Sequence, residues 1–216
     1  MVEAGSRWIE VGCAASSLLL DMPTRLGAEL DGVDISADAL DATRHALAEY
    51  GLNPKLRCHD FAHPADDELN AYDGVVSLGF VEHFADLAAT FVDLGRYVKR
   101  GGLVVTVVPN MAGLNGFLQL CLDRPIFLTH HVVTPPVLRQ EMERAGLRVE
   151  ACQPLLAFNL GVVNVGERRN RPVGRALEAG FVGLSRAVWM CERVMGRRLA
   201  ATLWRSPYII CVGRCG

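Results

Sequence analysis

Apolar stretches of strand length alternate with helical stretches along the first 150 residues. This alternation predicts an α/β fold in which helices cover both faces of a parallel sheet. The predicted strands are 7–12, 28–34, 55–59, 73–78 and 102–108, with a sixth starting near 147 and a last one at 208–213. The predicted helices are about 16–26, 37–50, 86–98 and 135–145.

Capping residues predict where two of these helices begin and end. Ser36 precedes the second helix, where a hydroxyl can accept a backbone hydrogen bond, and Gly51 follows that helix. Thr134 and Pro135 stand at the start of the last helix, and Gly146 follows it.

Two insertions interrupt the alternation. The first, about 110–133, follows the fifth strand and lies at the carboxyl edge of the sheet, where α/β proteins bind ligands. The second, about 166–206, precedes the last strand and predicts a long helix with one apolar stripe. The stripe consists of Leu177, Phe181, Leu184, Val188, Cys191 and Met195.

The long helix is open to three interpretations, because residues 167–198 also carry eight Arg against three Glu. It packs on its own domain as part of the substrate pocket, it forms a dimer interface, or it contacts a membrane surface or an apolar substrate.

Composition suits one domain over residues 1–216 with a full-sized core. The 22 Lys and Arg nearly balance the 24 Asp and Glu, for a net charge of −2, so a nucleic-acid partner is disfavoured. The seven Cys form no C-x-x-C pair, and we expect reduced, mostly buried thiols rather than disulfides or a zinc site. The richness in Ala, Gly, Arg and Val suggests a bacterial source.

No targeting or membrane-spanning segment is predicted. Met1 leads almost directly into the first strand, and no apolar run is long enough for a confident span. We therefore expect a cytoplasmic protein without stable membrane insertion.

A small-residue turn follows the first strand, and an acid ends the second. The turn runs from Glu10 to Ser16, and Asp34 lies 22 residues after Gly12. Such a turn lets a ligand approach the backbone, and the acid can accept hydrogen bonds from ribose hydroxyls. The pair predicts a nucleoside-containing cofactor. The later glycines of a dinucleotide motif are Ala14 and Ser17 here, so NAD and FAD are disfavoured.

Five segments in this order and spacing resemble class I S-adenosylmethionine-dependent methyltransferases of the small-molecule type. Trp8–Cys13 looks like motif I of that family, although the usual later glycines are Ala14 and Ser16. The resemblance covers roughly residues 7–154 and the final strand. The other four segments are Gly32–Ser36, Cys58–Phe61, Tyr72–Phe84 and Lys99–Asn110.

The resemblance implies a Rossmann-like, doubly wound seven-stranded sheet whose last strand inserts antiparallel beside the sixth. It also implies S-adenosylmethionine as cofactor. Asp34 would bind the ribose, Asp60 the adenine amino group, Phe61 would flank the ring, and Glu10 would help hold the ammonium. The full set of expected cofactor residues is Glu10, Gly12, Cys13, Ala14, Asp34, Ile35, Asp60, Phe61, Leu78 and Gly79. Fewer than ten residues precede motif I, so the second insertion, a partner subunit or an upstream segment would supply the lid.

The candidate catalytic residues are His83, Glu82, His130 and His131. His83 follows the fourth strand at the edge where the methyl group would sit, which favours a general base; its alternative role is to fix the loop or the methionine end of the cofactor. Glu82 either orients His83 or faces solvent. One of His130 and His131 reaches the substrate, or both serve the surface or a cap.

Some methyltransferases carry E-x-x-E-H after strand four and bind a divalent metal with it and another His. Here Glu82 and His83 match, but Gly79 replaces the first Glu, so we assign no metal ligand. Three ligands with His130 or His131 remain possible.

The predicted function is methyl transfer from S-adenosylmethionine to oxygen or nitrogen of a small acceptor, by a possible homodimer. Apolar residues at 116–118 and 127–128 favour a lipophilic or aromatic acceptor. The alternatives are a non-catalytic, cofactor-binding or regulatory protein of this fold and, with less support, an NAD-dependent oxidoreductase.

Overall fold

The computed structural model describes residues 2–216, which build a seven-stranded sheet with the strand order β3-β2-β1-β4-β5-β7-β6. Strand β7 runs antiparallel to both of its neighbours, and the other strand pairs are parallel. The strands are β1 (Arg7–Val11), β2 (Glu29–Asp34), β3 (Leu56–Cys58), β4 (Tyr72–Leu78), β5 (Val98–Pro109), β6 (Arg148–Leu155) and β7 (Tyr208–Arg214). The helices are α1 (Leu18–Asp21), α2 (Ala37–Ala48), α3 (Leu87–Gly95), α4 (Leu114–Leu122), α5 (Arg124–Leu128), α6 (Pro135–Arg144) and α7 (Pro172–Met195).

The predicted fold class is confirmed, including the antiparallel last strand, which lies between β5 and β6. Most predicted boundaries differ from the structure by one to three residues, and two segments differ more. The first predicted helix is a single α-turn that continues as a π-helical turn, Met22–Leu26. Strand β5 begins at Val98 rather than 102, because Val98 pairs with Tyr72 of β4. The register then shifts, and the next pair is Gly74 with Leu103.

Two apolar layers, one on each face of the sheet, hold the helices in place. Ile9 and Val11 of β1 point into the layer shared with α3 and α6. Trp8 of the same strand points into the opposite layer, shared with α1 and α2. Successive side chains of a strand point to opposite faces, so β1 contributes to both layers. The helices are thereby fixed on both sides of the central strands.

The strand order reverses beside β1, which lies between β2 and β4. The loops that follow these three strands diverge from one another and leave a crevice at the carboxyl edge of the sheet. Gly12, directly after β1, has a φ of +75°, a conformation that favours glycine. The chain therefore turns sharply at the edge where a ligand is expected.

The capping and cysteine predictions were only partly right. The Ser36 hydroxyl accepts a hydrogen bond from Ala39 N, as predicted, whereas Thr134 precedes α6 without a side-chain cap bond. All seven Cys are free, but three of them, Cys58, Cys121 and Cys191, are exposed, so the expectation of mostly buried thiols was wrong for these three.

The two insertions form helices at the carboxyl edge. The first contributes α4 and α5, and the second contributes a 3-10 turn, Gly166–Asn170, followed by α7. The predicted apolar stripe of α7 is only half right: Leu184, Cys191 and Met195 are exposed, and only the other three members are half-buried. The face that meets the body of the protein instead contains Gly174 and Ser185. None of the helices formed by residues 2–216 has both the length and the apolar character needed to cross a bilayer.

Candidate functional site

Two adjacent cavities open at the carboxyl edge of the sheet. The first, about 270 Å³, lies at the ends of β1 and β2. The second, about 190 Å³, lies beyond β5 and is walled by residues of the first insertion, by residues 162–164 after β6 and by the start of β7. The segment that follows β4 lines both, because Phe80 and Phe84 border the first cavity and Gly79 and Glu82 border the second. Two ligands bound in these cavities would meet at this segment.

Asp34 lies at the wall of the first cavity and connects the two turns that form it. Its carboxylate accepts hydrogen bonds from Ser36 N at 2.9 Å and from Ala14 N at 3.1 Å. These bonds fix the carboxylate at the end of β2, beside the turn that carries Gly12. A carboxylate held there can accept hydrogen bonds from a pair of vicinal hydroxyls, such as those of ribose.

Aromatic rings form the rest of the first cavity. The Phe61 ring packs edge-on against Phe80 and Phe84, with centroids 5.1 and 5.3 Å apart. Phe80 also covers the turn after β1, since a side chain on Gly12 would lie 2.5 Å from its ring. The cavity is thus an apolar slot bordered by Asp60, which suits a planar base. Sequence reasoning did not single out His59, Phe80 or Phe84, although two of them lie inside the fourth-strand motif.

Glu10 is fully buried at the end of β1 and is held by the turn that follows. Ser16 Oγ donates a hydrogen bond to Glu10 Oε1 at 2.6 Å, and the other carboxylate oxygen has no hydrogen-bond partner within residues 2–216. Burial raises the pKa of the Glu10 carboxyl to about 7, although the Ser16 bond opposes the shift. An ammonium group brought to this carboxylate would favour its ionised form.

Of four other predicted cofactor residues, only Ile35 borders the first cavity. Ile35 borders the first cavity and is largely exposed, whereas Ala14 contributes its backbone N–H to Asp34. Cys13 Sγ is buried against β2, 2.5 Å from where a Cβ on Gly32 would lie, and the Leu78 side chain packs on the core. Neither Cys13 nor Leu78 lines either of the two cavities.

The second cavity has polar walls with unused acceptor atoms. Asn110 is fully buried, and its Nδ2 donates to the carbonyl oxygens of Leu203 at 2.5 Å and Ser206 at 2.8 Å. Asn115 Nδ2 likewise donates to Asn159 O at 2.7 Å. These carbonyl partners fix the orientation of both amides. The amide oxygens, Oδ1 of each, have no hydrogen-bond partner among the described residues.

The apolar walls of this cavity differ from the prediction. Phe117 and Leu128 are 58% and 66% exposed and do not line it. Ile126, Val162 and Val163 supply the apolar surface instead, because the chain after β6 folds back over the first insertion. Residues 162–163 were not identified from the sequence, which shows no signal that would bring them to this place.

Glu82, His83 and His130 come together beside the second cavity. Glu82 is 1% exposed, so the alternative that it faces solvent was wrong. Glu82 Oε1 lies 3.9 Å from His83 Nε2 and 4.0 Å from His130 Nε2. Burial raises the pKa of the Glu82 carboxyl to about 7, and neither of its oxygens has a hydrogen-bond partner in the described part of the chain.

Backbone carbonyls orient both imidazoles of this cluster. His83 Nδ1 lies 3.0 Å from Thr129 O, and His130 Nδ1 lies 2.7 Å from Ile126 O. A carbonyl only accepts, so each Nδ1 carries a proton and each Nε2 of a neutral ring has a free lone pair. The cluster can therefore take up a proton. It can also hold a cation, since its three ligand atoms lie within 4.8 Å of one another.

His131 is the predicted catalytic residue that the structure keeps apart. Its side chain is exposed and lines neither cavity. Its backbone N–H donates to Glu82 O at 2.9 Å and so anchors the first insertion against the segment after β4. That contact explains how His130, the neighbouring residue, reaches the cluster.

Comparison with known proteins links this geometry to a family. A family model described as a methyltransferase domain matches residues 9–104. The ubiquinone biosynthesis O-methyltransferase of Maricaulis maris is 30% identical over 157 residues, which cover 68% of this chain and 61% of the relative. The protein of the same name from Alkalilimnicola ehrlichii is 34% identical over 101 residues, 47% of this chain and 40% of the relative. The chain thus spans less than two thirds of the length of either relative.

A solved structure extends the likeness to the whole fold. The geranyl diphosphate C-methyltransferase of Streptomyces coelicolor, in complex with Mg²⁺, geranyl diphosphate and S-adenosyl-L-homocysteine, superposes with a TM-score of 0.63 at 15% identity. The superposition covers 99% of this chain and 76% of that one. At this identity the likeness concerns the fold alone.

Proposed function

Because the chain belongs to the class I S-adenosylmethionine-dependent methyltransferases, we propose that it transfers a methyl group from this cofactor to a small lipophilic or aromatic acceptor. The atom methylated is an oxygen or a nitrogen. One observation carries the proposal: a cavity with aromatic walls and the Asp34 carboxylate adjoins a polar-walled cavity at the segment from Gly79 to Phe84.

The first cavity binds the adenosyl part of the cofactor. Asp34 accepts from the ribose hydroxyls, Asp60 accepts from the adenine amino group, and Phe61 contacts the face of the base. Gly12 leaves room for the ligand at the turn after β1. Glu10 holds the ammonium, directly or through water, and the methyl group then points towards the second cavity.

The second cavity binds an acceptor that presents hydrogen-bond donors. Its unused groups, Glu82 and the amide oxygens of Asn110 and Asn115, are all acceptors. A buried acceptor without a partner costs about 1–3 kcal/mol, so a ligand that supplies hydroxyl or ammonium donors gains most. The apolar walls at Val162 and Val163 favour a hydroxylated aromatic ring. A phenolic acceptor also agrees with the curated relatives, which are named O-methyltransferases of ubiquinone biosynthesis.

The cluster beside the second cavity removes the acceptor proton. Methyl transfer is an in-line displacement, and a hydroxyl becomes a strong nucleophile only as its proton leaves. Glu82 receives this proton directly, or one of His83 and His130 receives it at Nε2. The carbonyls of Thr129 and Ile126 keep both rings in the tautomer that can accept.

A second arrangement of the same cluster is a bound divalent cation. Three lone-pair donors face one another at distances too long for a hydrogen bond, and both oxygens of the buried Glu82 are unpartnered. Two imidazoles and one carboxylate suit a borderline transition metal. Such a cation would lower the pKa of an acceptor hydroxyl, and Glu82, His83 and His130 would hold it.

The test is a transfer assay with the methyl-labelled cofactor and a panel of alkyl-substituted phenols, catechols and anilines. Mass spectrometry of the product identifies the methylated atom. Cofactor binding together with turnover of a phenol or catechol supports the proposal. Cofactor binding without turnover of any acceptor favours a non-catalytic member of the fold, and binding of NAD instead of the cofactor overturns the proposal.

A further inference from the structure

Helix α7 exposes an apolar surface over most of its 24 residues. Only Gly174 and Ser185 are buried. The exposed fractions of its apolar side chains reach 78% at Val194, 68% at Val173 and 60% at Met190. Soluble monomeric proteins rarely expose so many large apolar side chains on one element, and such patches mark interaction sites.

The acidic and the basic side chains of α7 lie on different sides of the helix. Both of its acids are engaged with neighbouring chain: Glu178 pairs with Arg169 at 3.2 Å, and Glu192 accepts from Leu199 N at 2.8 Å. Arg175, Arg186 and Arg193 share one side of the helix, since they are separated by eleven and seven residues. In the described part of the chain these three form no ion pair with a carboxylate. The exposed surface of α7 is therefore apolar and positive.

The segment that contains α7 is positively charged, whereas the rest of the chain is negatively charged. Residues 166–205 hold nine Arg and three Glu, a net charge of +6. The rest of the chain holds thirteen Lys and Arg against twenty-one Asp and Glu, a net charge of −8. The asymmetry selects a partner with negative charge on the α7 side.

Helix α7 also supports the wall of the second cavity. Ser185 Oγ accepts a hydrogen bond from Leu160 N at 2.9 Å, and Trp189 Nε1 donates to Phe158 O at 2.8 Å. The same loop continues into Val162 and Val163, which line that cavity. A surface bound to α7 would therefore lie close to the acceptor cavity.

We propose that the exposed face of α7 docks on the surface of a lipid bilayer rich in anionic lipids. The apolar side chains reach below the headgroups, and the Arg side chains contact lipid phosphates. Trp189 of α7 is 43% exposed, and its indole would lie near the headgroups, where this side chain is favoured. The helix lies on the bilayer rather than crossing it, in keeping with the charged residues along it.

Two other occupants of this face are less favourable. A second copy packed symmetrically through α7 would bring two positive faces together. An acidic protein would satisfy the arginines but would need an equally broad apolar surface to cover Val194 and Met190. An anionic bilayer supplies both the apolar phase and the negative charge.

The test is co-sedimentation of the full chain with vesicles of phosphatidylcholine and phosphatidylglycerol in equal parts, compared with pure phosphatidylcholine. We expect at least tenfold stronger binding to the anionic vesicles, weakened by salt. The double variant Arg186→Glu, Arg193→Glu should lose at least tenfold in binding. The matched control Arg100→Glu, Arg139→Glu, which makes the same charge change elsewhere, should bind like the unchanged chain.

Circular dichroism and thermal melting confirm that both double variants are folded. Equal loss in the two double variants, or no preference for anionic vesicles, overturns the proposal. Sedimentation velocity without lipid tests the second copy: a stable dimer that Leu184→Asp dissociates would assign the face to self-association and would also overturn it. Vesicle binding needs no turnover, so the outcome is independent of the proposed methyl transfer.

Discussion

The carboxylate of Asp34 accepts a hydrogen bond from the backbone N–H of Ala14 at 3.1 Å. This contact joins the end of β2 to the turn after β1, two points that are 20 residues apart in the chain. One carboxylate therefore shapes the turn and also faces the ligand cavity. Its second oxygen is held in the same way by Ser36 N at 2.9 Å.

Two substitutions of Asp34 separate its role in shaping the turn from its role in binding the ligand. Asp34→Asn keeps one oxygen for the backbone but loses the charge that attracts the ribose hydroxyls, whereas Asp34→Ala loses both. We expect S-adenosylhomocysteine affinity to fall about tenfold or more in Asp34→Asn, and further in Asp34→Ala. Isothermal titration calorimetry measures this, with Asp38→Asn on the exposed start of α2 as control. Unchanged affinity in a folded Asp34→Asn protein would reduce the residue to a structural role.

Glu82 is expected to matter for the chemical step rather than for cofactor binding. Glu82→Gln preserves shape but removes the carboxylate that takes up a proton or holds a cation, so kcat should fall roughly 10²-fold or more. The KM of the cofactor should stay within about twofold, because Glu82 does not line the first cavity. Steady-state kinetics in both substrates separates the two effects. A rise in cofactor KM with unchanged kcat would contradict this assignment.

Asn115 is expected to recognise the acceptor. Asn115→Leu replaces the amide with an apolar group of similar size, so the wall of the second cavity loses both the unpartnered oxygen and the Nδ2 hydrogen bond to Asn159 O. Loss of one such hydrogen bond costs about 0.5–1.5 kcal/mol, so the acceptor KM should rise several-fold. Asn53→Leu, outside both cavities, is the control. A deoxygenated acceptor analogue should be insensitive to Asn115→Leu, because it has no donor to lose.

The sheet, and the positions of Asp34 and Gly12 at the wall of the first cavity, could be predicted from the sequence because both depend on local signals. A buried strand, a small-residue turn and an acid at a fixed distance place Asp34 and Gly12 without knowledge of long-range packing. The residues that line the second cavity could not be predicted in this way. Val162 and Val163 reach their cavity through a loop that α7 holds, and the exposure of Phe117 depends on where α4 is packed. Contacts between segments distant in sequence leave no periodic signal, so these residues could not be predicted.

If Glu82, His83 and His130 bind a cation, substitutions of the neighbouring residues His130 and His131 should affect metal binding differently. Co²⁺ added to the metal-free chain should produce visible d–d absorption, because imidazole and carboxylate ligands replace water. His130→Ala should abolish this absorption, since His130 Nε2 faces Glu82. His131→Ala should leave it unchanged, because the His131 side chain is exposed and lies outside the cluster. Absence of the absorption in the unchanged chain would leave proton uptake by the cluster as its function.

Glu10 is expected to make folding stability depend on pH. Its pKa is about 7 in the folded chain and near 4.5 when solvated, because burial disfavours the charged form. Between these values the folded state keeps a proton that the unfolded state has lost, so the free energy of unfolding should fall as pH rises from about 4.5 to about 7, and then level off. The size of the Glu10 contribution is on the order of 3 kcal/mol. Urea unfolding at several pH values measures it. Glu10→Gln stays neutral and can still accept from Ser16, so it should reduce the change of the unfolding free energy with pH. Adding Glu82→Gln should remove most of the change that remains, because the Glu82 carboxyl is also buried. A Glu10→Gln protein with the same pH profile as the unchanged chain would show that Glu10 ionises in the folded state at its ordinary pKa.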